Sequence, residues 1–197
     1  MSKDVGQEEM GSWLSQDELQ KTIAAGLHGP PELKKAEKNR YLGQFRERVI
    51  RMLSKRQVSE PAIYPEIVEA LKDPRAFKLF INGEIPQVFT AKYQKLAKQI
   101  GINYSLIHDS ELKGETGLIV AAKDAVEVSD IEVPDRELRL SNLGVPKELI
   151  HLAGKNVCQR CYDKIIKAAP EESINYQVIS WLDRLMGERC PAGRIHE

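Results

Sequence analysis

Three cysteines carry the first chemical signal in this chain. Cys158 and Cys161 stand in the run CQRC with two residues between them, and Cys190 follows after 28 more. His196 comes after a further five residues. Zinc takes four nitrogen or sulfur ligands in a tetrahedron. A Cys-x2-Cys turn offers two thiolates from one bend, and Cys190 with His196 can supply two from the far end of the tail. Such a site joins the start and finish of a segment with little core of its own, so metal-binding energy becomes folding energy. The same pair also fits a redox role. Cys158 precedes the helix expected over YDKIIKAA, where the helix dipole, Arg160 and Lys164 would lower a thiol pKa. Against that, AGKNV is not the strong strand that leads into a thioredoxin-type motif, and no helper acid or proline accompanies the pair. The third reading is three small, inert thiols.

Other chemistry is sparse. The chain has no Ser-His-Asp order, no phosphate-cradling glycine loop and no HExxH. Asn82-Gly83-Glu84 ends an expected strand, where open α/β sheets bind ligands, but Asn-Gly reads equally as a turn. The expectation is a non-enzymatic binding or regulatory module.

The 197 residues balance 29 basic against 29 acidic side chains, so no global attraction to nucleic acid or acidic lipid follows. The charges are unevenly placed. Residues 32–56 hold nine basic and three acidic side chains, and residues 109–137 hold nine acidic and three basic. The two stretches could steer partners, face each other, or lie in solvent. Used as a nucleic-acid surface, the basic one would present Arg40, Arg46, Arg48, Arg51, Lys55 and Arg56. No apolar run reaches the ~20 residues that span a bilayer. The start, MSKDVGQEEMGSWLSQDEL, lacks the basic lead and apolar centre of a secretory signal. Three cysteines suit a reducing compartment, so a cytoplasmic location is expected.

The elements that must position these residues read as follows. Residues 1–14 form a polar lead. Ser15 with Glu18 is a capping-box signature for a short helix stopping at Gly26, and HGPPELK is a rigid connector. AEKNRYLGQFRERVIRMLSKRQ, with Leu42, Phe45, Val49, Met52 and Leu53 at helical spacing, predicts one amphipathic helix with a basic outer face. YPEIVEALKD predicts a helix from Pro65, FKLFING a strand, TAKYQKLAKQIG a helix capped by Gly101, and INYSLIH a second strand. LIVAAKDAVEV predicts two strands in a hairpin. Strand, helix, strand implies a parallel pair with a right-handed crossover. Residues 15–133 therefore make a mixed sheet with helices packed on it. Residues 134–197 form a helical tail with candidates PKELIHLAG, YDKIIKAA and SINYQVISWLDRLMGE. In the last, Val178, Trp181, Leu182 and Leu185 form an apolar face for core or docking.

GPPELKKAEKNRYLGQFRERV (residues 29–49), with LFINGE and GLIVAAKDAV, resembles the YueI-like family of small bacterial proteins over residues 16–133. The tail lies outside that resemblance. It implies an α/β sandwich similar to the bacillary chorismate mutase and to kink-turn RNA-binding ribosomal proteins, and it brings no established activity. The ribosomal likeness implies a Gly-x-Asn-Glu turn contacting RNA. In SEPAIYPEIVEAL, Glu66 matches the acid, but Pro65 replaces the asparagine and no glycine precedes it, so the side chain that would read a base edge is missing. The expectations are thus a structural zinc in the tail, or RNA binding through the basic residues, or thiol redox chemistry at Cys158 and Cys161. The partner would be a protein or RNA, and assembly with further copies through sheet edges is conceivable.

Overall fold

In this computed structural model, the structure describes residues 35–108 and 114–193. The lead, the helix expected after Ser15, the proline connector and His196 lie outside the described residues.

Four strands form the main sheet in the order β1-β4-β2-β3: β1 Val49–Ser54, β2 Ala76–Asn82, β3 Asn103–Ile107 and β4 Thr116–Ala122. β2 and β3 are parallel, as the strand-helix-strand order requires, and β4 runs antiparallel to both β1 and β2. β4 is central and every one of its residues is buried. Its side chains alternate between faces with period two. Leu118, Val120 and Ala122 join Leu79 and Ile81 beneath two helices, α3 (Pro65–Lys72) and α4 (Gln87–Ile100). Ile119 and Ala121 pack on the opposite side with Tyr41, Leu42, Met52 and Ile131. Pro65 opens α3, and Gly101 ends α4 with φ 88°, the left-handed cap its sequence position predicted.

The single basic helix expected over residues 36–57 does not form. A short helix α1 (Lys35–Arg40) ends at a turn where Leu42 and Gly43 both take positive φ. A 3-10 turn, Arg46–Arg48, leads into β1, and α2 (Lys55–Ser59) follows. Val49, Ile50, Met52 and Leu53 satisfy helical spacing, yet they equally suit a strand buried on both faces, and pairing with β4 decides the matter. Ser54 and Gln57 close a capping box that starts α2 afresh.

The expected hairpin after β4 is also absent. Both edges of β4 are already taken by β1 and β2, so the returning chain has nothing to pair with there. It crosses to the free edge of β1 instead. Met52 N–H donates to Ile131 O at 2.7 Å and Val133 N–H donates to Met52 O at 3.3 Å. The segment covers an edge that would otherwise expose unpaired backbone.

The tail has its own apolar cluster, with Leu140, Leu149, Val157, Cys161, Ile165 and Tyr176 at its centre. Its elements are α5 (Arg136–Asn142), α6 (Lys147–Ile150), β5 (Asn156–Val157), α7 (Gln159–Ala168), a 3-10 turn Pro170–Asn175, β6 (Gln177–Val178) and α8 (Trp181–Leu185). The long helix expected over SINYQVISWLDRLMGE is thus three pieces. Ser180 and Asp183 form a capping box that begins α8 anew. Trp181, Leu182 and Leu185 are exposed, so the expectation of core does not hold for them.

Candidate metal centre

β5 and β6 pair in parallel, and α7 makes the crossover between them. This small unit fixes the thiols. Cys158 follows β5 directly and is the N-cap of α7, with extended backbone. Cys161 lies in the first turn of α7, buried on the same face as Ile165 four residues on. Cys190 follows α8, and the preceding segment is held to β5 where Asn156 Nδ2 donates to Glu188 at 3.2 Å.

The three Sγ atoms lie within 4.8 Å of one another. Cys190 Sγ is 4.0 Å from Cys161 Sγ and accepts a hydrogen bond from the Cys158 N–H at 3.3 Å. Cys161 is buried, while Cys158 and Cys190 are half-buried. Burial pushes the Cys158 thiol up, but hydrogen bonds from Cys161, Cys190 and the Arg160 N–H outweigh it and hold the thiol below its ordinary value. Cys161 is pushed up to about 12, first by burial and then by its hydrogen bond to Cys158 and the charge of Cys190. Three thiolates this close repel one another, and a bound cation removes that conflict.

The donor set fits zinc. Thiolate sulfur is a soft ligand suited to it. A tetrahedron with Zn–S of about 2.3 Å sets the sulfurs about 3.8 Å apart, close to the 4.0 Å found.

A second group of residues, which no sequence motif pointed to, seats the tail on the sandwich. Arg136 and Glu172 are 4% and 0% exposed and meet at 2.7 Å. Arg136 also donates to Ile150 O at 3.1 Å and to Tyr176 Oη at 2.9 Å, so its guanidinium is satisfied. Burial lowers the Arg136 pKa, and the Glu172 carboxylate more than reverses it. Arg139 binds Glu172 Oε1 at 2.6 Å and reaches Glu66 of α3 at 3.4 Å. Asn175 bonds both backbone groups of Ile63.

The basic residues do not share one helix face. Arg40 pairs with Glu132 at 3.0 Å, Arg46 donates to Ser129 O at 3.0 Å and also to Val128 O, and Arg56 pairs with Asp135. The basic and acidic stretches therefore face each other. Lys55 is paired with Glu84 at 2.7 Å. Arg48, at the end of the 3-10 turn, is exposed, and Arg51, within β1, is half-buried.

The chain is thus, by class, an α+β protein with a mixed four-stranded sheet and an attached tail that gathers three thiols. A model of the family described as "Protein of unknown function (DUF1694)" matches residues 16–132, and the chain belongs to that family. It is 31% identical over 122 residues to "Uncharacterized protein YueI" of Bacillus subtilis (strain 168), across 62% of this chain and 92% of that protein. The crystal structure of YueI from Bacillus subtilis superposes with a TM-score of 0.51 at 30% identity, across 61% of this chain and 94% of that one. Cys158, Cys161 and Cys190 lie beyond the residues the family model matches. No helix among the described residues is long and apolar enough to cross a membrane.

Proposed function

We propose that the chain is a non-enzymatic binding or regulatory module of the cytoplasm whose tail is clipped by one zinc ion on Cys158, Cys161 and Cys190. His196 or water completes the tetrahedron. The observation that carries this reading is the convergence of three sulfurs, from two separate segments of the tail, within 4.8 Å. The ion ties the N-cap of α7 to the segment after α8, so its binding energy holds together a unit whose strands are only two residues long. The zinc is structural, and the module acts by presenting its surface to a partner.

RNA binding is the weaker reading, because Arg40, Arg46, Lys55 and Arg56 are engaged within the fold. Protein purified without chelator or polyhistidine tag, assayed by elemental analysis, should carry about one zinc per chain. Cys158→Ser should lose it and loosen the tail to protease while the sandwich resists. No metal in the wild-type protein overturns the reading.

A further inference from the structure

The geometry points to Cys161 and Cys190 as an oxidative modification site: a hydroperoxide links them in a disulfide, and the clip exchanges metal for a covalent bond. The exchange rests on the zinc reading above, but the disulfide does not, and the two are separately testable.

Three observations support this pair. Their sulfurs are 4.0 Å apart, so closing to a disulfide of about 2 Å needs only a small shift of each side chain. Cys190 is seated by the main-chain N–H of Cys158, which fixes its sulfur above the start of α7 and beside Cys161. Cys190 is half-buried, as Cys158 is, so a small oxidant reaches it, whereas Cys161 is buried in the apolar cluster of the tail. We place the attack at Cys190, the half-buried sulfur 4.0 Å from Cys161, and Cys161 resolves it.

The chemistry balances. The Cys190 sulfur attacks one peroxide oxygen, the O–O bond breaks, and a sulfenic acid forms with one water from hydrogen peroxide, or one alcohol from an organic hydroperoxide. The Cys161 sulfur then attacks the sulfenic sulfur, forming S–S and releasing a water. The two sulfurs lose two electrons and the peroxide gains them; in the metal-free chain the two thiol protons end in the products, and in the zinc-bound chain, whose sulfurs are thiolates, the two hydroxides formed take their protons from solvent. With two of its three sulfurs tied together, the site no longer offers a tetrahedral thiolate set and zinc leaves. The disulfide spans the same loop that the metal closed, so the tail stays fastened while the ion is released.

The full chain lends itself to the experiment, because trypsin separates all three cysteines: Arg160 stands between Cys158 and Cys161, and Arg189 directly precedes Cys190. Zinc-loaded chain is treated with excess hydrogen peroxide, released zinc is read with a colorimetric chelator, and remaining thiols are alkylated before digestion. The expected result is one zinc released per chain, a crosslinked peptide pair holding Cys161 and Cys190, and alkylated Cys158, all reversed by a thiol reductant. The same crosslink should form in zinc-free chain and vanish in Cys190→Ser. A Cys158–Cys161 crosslink, or oxidation to sulfonic acid without any crosslink, overturns the proposal. A chain that takes up no zinc yet forms the Cys161–Cys190 bond defeats the metal reading and leaves this one standing.

Discussion

The side-chain amide of Asn175 accepts from the Ile63 N–H at 2.7 Å and donates to the Ile63 carbonyl at 2.8 Å. A residue of the tail thereby satisfies both backbone groups of one residue of the sandwich, as a neighbouring strand would. No third element has to move in for the two parts to be joined. Arg139 adds a second tie to the sandwich through Glu66 at 3.4 Å, while Arg136 and Glu172 brace the tail from within.

Asn175→Ala should strand the Ile63 backbone groups and cost about 1–3 kcal/mol. Urea denaturation gives the magnitude. Limited proteolysis should show the tail cut earlier than in the wild type, and an unchanged digestion pattern would argue that the joint is held elsewhere.

Glu172→Ala should be worse. It leaves Arg136, 4% exposed, without its buried counterion, at about 3–5 kcal/mol. Replacing both partners by well-packed apolar residues should recover part of the loss, since the uncompensated charge is the main penalty. A double variant no more stable than the single one would contradict this.

Gly117→Ala tests the sandwich alone. A Cβ there would stand 2.8 Å from the Lys55 backbone N and Cα, where α2 starts across β4. Backbone cannot step aside as a side chain can, so the expected cost is about 1–3 kcal/mol. The zinc content should not change.

Lys92 gives a pH dependence. Burial lowers its pKa from 10.5 to about 8, only partly offset by Glu60, and its ammonium donates to the Glu60 carbonyl. Between pH 8 and 9.5 the unfolded chain keeps a proton that the folded chain releases, so this group's contribution to stability rises with pH. The window stops below pH 10 because Tyr64 and Tyr93, both raised chiefly by burial, begin to act in the opposite sense there. Urea midpoints of the wild type should therefore rise across this range relative to Lys92→Met, and parallel curves would sink the assignment.

Much of this arrangement was legible in the residues. Asn82-Gly83 and Gly101 flank α4 within the β2-α4-β3 unit, and turn chemistry at those points leaves little freedom. Cys158 and Cys161 were bound to be near each other, and the fold brings Cys190 to them. β1 was not legible, because Val49, Ile50, Met52 and Leu53 fit a helix face and a doubly buried strand equally well, and only β4 distinguishes the two. The missing hairpin follows from the sheet order, which puts β4 in the centre and which no local pattern encodes. The Arg136–Glu172 pair escaped for a related reason: charged residues read as surface unless the fold supplies each with a partner.

The most direct measurement is an X-ray absorption spectrum at the zinc edge of purified, untagged protein. The account predicts a first shell dominated by about three sulfurs at about 2.3 Å, with one lighter ligand. A shell of nitrogen and oxygen alone, or protein that holds no zinc, would contradict it.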